Sequence, residues 1–105
     1  MTGVDDSDVE HDPAAEQFRV RLNDGVAVLQ YRRRAATIYF VHTEVPSELQ
    51  HRGIADALAH AGLEFARADH LAVVPLCPFV AAYIRRHPSY GALVEPSWRR
   101  TEIRP

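Results

Sequence analysis

Two short stretches hold residue types whose spacing could do chemistry: Gln50-His51-Arg52-Gly53-Ile54-Ala55, and Cys77-Pro78-Phe79 further on. In the first, Gly53 stands at the front edge of an amphipathic helix, where glycine weakens a helix by about 1 kcal/mol against alanine. The first turn of a helix has backbone N–H groups with no internal partner, and its dipole makes that end positive. An anion, above all a phosphate, satisfies both. It must approach the backbone closely, and a Cβ at position 53 would stand in its way. A small residue at Ala55 helps for the same reason. Gln50–Ala55 thus reads as a phosphate cradle made of main chain, with Arg52 able to add charge. The other reading is that Gly53 only permits a tight turn into the helix; spacing alone leaves both open. A Walker loop is excluded because the chain has no lysine, and the three-glycine spacing of a dinucleotide fingerprint is absent.

Cys77 follows an apolar run and precedes Pro78. Proline is favoured at the first helical position, so Cys77 is placed to cap a helix. The dipole there favours thiolate. The alternative is a small buried hydrophobe, which free cysteine often is. His42, near the end of a strand, could act as a base, or be a packed histidine. Glu44 is a rival base. His51, His60 and His70 are nine and ten residues apart, with no second cysteine, and do not form a metal set.

These residues need a scaffold, and the patterning predicts one. Phe18, Val20 and Leu22 alternate with polar residues, a two-residue turn follows at Asp24-Gly25, and a second strand resumes. Thr37 to about Val45 is a third strand, rich in β-branched and aromatic residues, ended by Pro46. Ile54, Leu58, Ala61, Gly62 and Phe65 share one face of a helix. Leu71–Leu76 is a nearly all-apolar strand, buried on both faces, with Pro75 near its end. A second helix starts after Cys77, turns Phe79, Val80, Tyr83 and Ile84 inward and stops at Pro88. Glu95 onward reads as an ordered edge followed by a frayed tail. The order is antiparallel strands, then β-α-β-α: an α/β chain with a mixed sheet and a right-handed crossover. Ligands of such units sit beyond the carboxyl ends of the strands, at the amino end of the helix. Gln50–Ala55 occupies that place.

The bounds agree with one domain. The chain has 105 residues, 47% of them hydrophobic, which is enough for a single core. No window approaches the roughly 18 apolar residues of a membrane span, and no signal-peptide pattern opens the chain. A single cysteine allows no internal disulfide and points to a reduced, cytoplasmic setting. Residues 1–17 hold six carboxylates and no arginine. The remainder holds 8 acidic residues (14 in all less these six) against 12 arginines. The acidic leader therefore reads as disordered and solubilising. Arg32-Arg33-Arg34 reads as a solvated charge run. Residues 18–95 would form the domain and 96–105 a tail, with neither nucleic acid nor membrane as a partner, and a monomer or weak homodimer as its state.

The stretch "VPSELQHRGIADAL" resembles the acyl-CoA pyrophosphate loop of the GNAT superfamily of N-acetyltransferases, whose signature Q/R-x-x-G-x-G/A is met by Gln50, Gly53 and Ala55. Together, "HTEVPSELQHRGIADAL" and "PLCPFVAAYIRRHPSY" resemble the minimal, YjdJ-type subfamily. The resemblance covers roughly Phe18 to Val94. It implies a minimal GNAT fold, in which the parallel strands Thr37–Val45 and Leu71–Leu76 splay apart around the pantetheine arm of acetyl-CoA. Main-chain groups near Val45 would pair with that arm, and Gln50, His51, Arg52, Gly53, Ile54 and Ala55 would hold the pyrophosphate. The thioester would end near His42, Thr43 and Cys77. Cys77 would take the acetyl group covalently or protonate the departing thiolate, with His42 or Glu44 as base. Tyr83 resembles the helix tyrosine near the CoA sulfur, displaced by about one residue, and the asparagine often found before it is missing. The implied function is acetyl transfer to an amine, a protein lysine, N-terminus or small amine; the alternative is an inactive CoA-binding or protein-interaction module on the same fold.

Overall fold

In a computed structural model describing residues 6–23 and 25–98, alternation sorts the strands onto two faces. The chain runs β1 (Glu10–Asp12), β2 (Gln17–Leu22), β3 (Gly25–Arg34), β4 (Thr37–Glu44), α1 (Ile54–Ala68), β5 (Ala72–Pro75), α2 (Pro78–Arg86) and a single turn, α3 (Pro96–Trp98). Short 3-10 turns occupy Asp6–Asp8, Ser47–Leu49 and Pro88–Leu93. The sheet order is β1-β2-β3-β4-β5, antiparallel except for the parallel pair β4–β5. This is the mixed sheet expected of a minimal GNAT fold. The Asp24 half of the expected turn and the tail from Arg99 onward lie outside the described residues.

Phe18, Val20, Ala27, Leu29, Tyr31, Ile38 and Phe40 are buried together with Leu58, Leu63 and Ala66 of α1. The alternate residues Arg19, Val28, Gln30 and Tyr39 are only half-buried. Gly62 sets how closely α1 can approach: a Cβ there would lie 2.8 Å from Phe40 Cε1 and 3.2 Å from Leu29 Cδ2. Glycine in mid-helix costs propensity, and here it is offset by a close helix–sheet contact.

Two features of β4 create the site. Tyr31 pairs with Phe40 but Gln30 pairs with His42, so Val41 is an extra, bulged residue. Beyond the bulge Thr43 shares a face with Leu29, and His42 and Glu44 share the other face with Gln30 and Val28, since directly paired residues point the same way. The parallel ladder runs only from Thr37↔Ala72 to Phe40↔Pro75. Pro75 has no N–H to continue it, and the Cys77 N–H turns back to the Phe40 carbonyl at 2.8 Å. From Val41 onward β4 and β5 part. On the far side of β5, Val94 bridges Val73, and the Glu95 N–H donates to the Val73 carbonyl at 2.9 Å.

The acidic leader corrects an expectation. Residues 1–5 lie outside the described residues, but the rest of the leader is ordered in part: Glu10, His11 and Asp12 pair with Arg19, Phe18 and Gln17 as β1. The His11 ring stacks on Phe18 with centroids 4.2 Å apart and meets Phe65 edge-on at 4.6 Å. Its Nε2 shares a hydrogen bond with Tyr31 Oη at 2.6 Å. Arg19 bridges Asp12 at 2.9 Å and Glu10 at 3.2 Å, and Arg21 reaches Glu10 at 3.2 Å. Glu10 and Asp12, expected to solvate a tail, are instead ion-pair partners of β2, and Glu16 lies 3.7 Å from Arg32 of β3.

Candidate functional site

Where β4 and β5 separate, a cavity of about 530 Å³ opens. Thr43 and Val45 wall it from the strand end, His51 and Gly53–Asp56 from the turn and the start of α1, and Phe79 from α2. Strand tip, loop and helix amino end thus meet around one space, as the β-α-β order requires.

The loop is built to stay open. Leu49 is fully buried and anchors its 3-10 turn, and Gln50 Nε2 donates to the Val45 carbonyl at 3.3 Å, closing residues 45–50 on themselves. The backbone then enters the left-handed region at His51 (φ 68°) and again at Gly53 (φ 77°). Backbones of this kind turn neighbouring N–H groups into an anion-binding concavity. Gly53 caps α1 with no side-chain hydrogen bond, and the first helical bond runs from the Ala57 N–H to the Gly53 carbonyl at 3.0 Å. The N–H groups of Ile54, Ala55 and Asp56 belong to the turn that a helix leaves without internal acceptors. Gly53 thus serves the turn into α1, and the helix start beside it is left uncovered. Its φ of 77° favours glycine, and a Cβ there would meet nothing within 4 Å. The space in front of it is free for an anion.

Of the cavity wall, Thr43 reaches inward: its Oγ1 lies 3.2 Å from Cys77 Sγ, and Cys77 itself does not line the cavity. Cys77 is 3% exposed and is the N-cap of α2, with Pro78 at the first position. The bulge at Val41 makes this contact, because it turns Thr43 to the helix side of the sheet. The same bulge turns His42 and Glu44 away from Cys77. They stand exposed on the opposite face, with His42 Nε2 and Glu44 Oε1 3.7 Å apart.

Of the residues singled out in the sequence, Val45, Gln50, His51, Gly53, Ile54 and Ala55 surround one cavity. Arg52 is exposed between His51 and Gly53. Tyr83 is elsewhere: its ring is buried, packed at 4.2 Å on His87 and 6.2 Å from Tyr90. Tyr90 Oη donates to Glu64 Oε2 at 2.6 Å. Burial and then this hydrogen bond push its phenol up to about 12, so it stays a proton donor that ties the Pro88–Leu93 turn to α1. No group of three metal-ligating side chains occurs among the described residues. Phe79 and Asp56 were not foreseen as cavity walls. For Phe79 the signal was available, since it follows Cys77 by two residues at the helix start.

Comparison with known proteins adds two findings. The family of GCN5-related N-acetyl-transferases matches residues 17–93. Similar proteins include Protein NATD1 of Homo sapiens, 40% identical over 83 residues covering 76% of this chain and 74% of that one. Protein NATD1 of Xenopus tropicalis is 36% identical over 83 residues, 76% of each chain. That of Danio rerio is 36% identical over 87 residues, 78% of this chain and 79% of its own.

Proposed function

The chain belongs to the GCN5-related N-acetyl-transferase family, and from that premise we propose that it transfers acetyl from acetyl-CoA to an amine. The observation that carries the reading is one cavity lined both by the main-chain turn at Gly53–Ala55 and by Thr43, whose hydroxyl lies 3.2 Å from the buried Cys77 thiol. A molecule with a diphosphate, an amide-bearing arm and a terminal thioester matches that sequence of features. The diphosphate meets the orphan N–H groups and the dipole of α1. The arm lies along the edge of β4 from Val41 to Val45, which β5 has left.

Acetyl transfer forms a C–N bond and breaks a C–S bond. The amine lone pair attacks the thioester carbonyl carbon, the sulfur leaves as thiolate, and the nitrogen gives up a proton. The Cys77 thiol, hydrogen-bonded to Thr43, serves as proton donor to the departing sulfur and is reprotonated between turnovers. The amine proton goes to His42 or Glu44, which face the side of the sheet opposite Cys77, so acceptor and thiol approach the thioester from different sides. The burial of Cys77 favours direct transfer over an acetyl-cysteine intermediate. It also favours a second reading, in which Cys77 only packs and the domain binds CoA without turnover.

Incubation with acetyl-CoA and a panel of peptide, N-terminal and small amines, read by mass spectrometry beside a calorimetric CoA titration, tests this. Acetylated amine in the presence of wild-type protein is the expected result. CoA binding without any product supports the inactive module, and absence of CoA binding removes both readings.

A further inference from the structure

Arg86, in the last turn of α2, pairs with Asp56 Oδ1 at 3.4 Å, and Asp56 is part of the cavity wall in the first turn of α1. Its guanidinium also lies over the rings of Tyr83, at 5.4 Å, and Phe79, at 6.0 Å; Phe79 is the cavity's α2 wall. An arginine is therefore held at the rim by two cavity residues, beside the turn that presents the cradle's N–H groups. Asp56 suits the helix end itself, because its charge complements the dipole. It does not suit a phosphate seated there, which it repels.

We propose that Arg86 is a phosphate ligand of the acyl-CoA, released from Asp56 when the phosphate arrives. This deepens the acetyl-CoA reading and rests on it. The planar guanidinium matches a phosphate as well as a carboxylate, and its stacking on aromatic rings keeps it oriented while it changes partner. The exchange gives opposite signs for the two members of the pair. Loss of Arg86 removes a ligand. Loss of the Asp56 charge removes both a competitor for Arg86 and a repulsion toward phosphate. A pair that merely braced α1 against α2 would weaken binding whichever member was changed.

The test is calorimetric titration of CoA and of 3′-dephospho-CoA into wild-type, Arg86→Gln and Asp56→Asn proteins. Both side chains are 52% exposed, so neither substitution opens the core, and melting curves verify folding. Arg86→Gln is expected to weaken CoA about tenfold, the scale of one charge-assisted contact, while Asp56→Asn tightens it. Weakening toward both ligands assigns Arg86 to the diphosphate; weakening toward CoA alone assigns it to the 3′-phosphate. Equal affinities of wild type and Arg86→Gln for both ligands overturn the proposal, as does an Asp56→Asn variant that binds no more tightly than wild type. A wild-type chain that binds neither ligand overturns the acetyl-CoA reading itself, a result distinct from either of these.

Discussion

Thr43 Oγ1 and Cys77 Sγ meet at 3.2 Å across the gap where β4 and β5 part. The contact joins a strand tip to a helix cap and depends on the bulge at Val41, without which Thr43 would face the other side of the sheet. Cys77→Ala is expected to lower acetyl transfer by about a hundredfold or more, the scale of a lost general acid. CoA affinity should stay near wild type, because Cys77 is buried and is not among the residues that line the cavity beside Gly53. Thr43→Val, which keeps the shape and removes the hydroxyl, should give a smaller loss of the same kind. Wild-type turnover in Cys77→Ala, measured by thiol release, would leave the cysteine as packing only.

Gly53 separates two effects that usually travel together. Gly53→Val puts a β-branched residue at φ 77°, a left-handed conformation such side chains avoid, so it should lower the melting temperature as well as abolish CoA binding. Gly53→Asn is the sharper variant, since asparagine tolerates that conformation. It should melt near wild type and still lose CoA, because its side chain enters the open space in front of the helix. Undiminished CoA affinity in a folded Asn variant would show that the glycine serves the turn alone.

The legible elements were those with a pattern of their own. α1 announced itself by apolar spacing from Ile54 to Phe65, β4 by its β-branched run, and α2 by Cys77-Pro78, whose cap geometry is present in the structure. The open start of α1 at Gly53 was legible because such a helix end needs only backbone and a glycine. β1 was not, because "EHD" has no strand propensity; it is ordered by Phe18, Phe65, Tyr31 and Arg19, which are distant in sequence or on another strand. The one local hint was the alternation of Arg19 and Arg21 on one face of β2, matching Glu10 and Asp12. The bulge at Val41 left no trace in the letters, so the opposed facing of Thr43 and His42 could not be read. Tyr83 was assigned by likeness to a pattern it does not quite fit, and its ring lies against His87 and Tyr90 instead.

Gly62→Ala tests the closeness of helix and sheet. The added methyl would stand 2.8 Å from the Phe40 ring, and a fully buried ring has little room to move. The expected cost is about 1–3 kcal/mol, as for an overpacked core, read from urea unfolding midpoints. Phe40→Leu in the same chain should recover part of that loss. An alanine variant as stable as wild type would mean that α1 can lift away without penalty.

The docking of β1 makes the leader a part of the fold with its own pH dependence. Deleting residues 1–16 removes β1, uncovers Phe18, Phe65 and Tyr31, and takes from Arg19 both of its carboxylates, so the melting temperature should fall. Burial lowers the His11 pKa below its usual 6.5, against the smaller opposing pull of Asp12 and Asp69. The folded chain therefore prefers the neutral ring, and below 6.5 the unfolded chain binds the proton that the folded one resists. Stability from this group is complete above pH 6.5 and declines as the pH falls toward the depressed value. His11→Phe keeps a ring between Phe18 and Phe65 but does not titrate. The gap in denaturation midpoint between wild type and His11→Phe should thus shift in favour of the variant from pH 7.5 to pH 5.5. A gap that stays constant across that range would show that β1 is held by its arginine bridges, with His11 protonated as readily as in the unfolded chain.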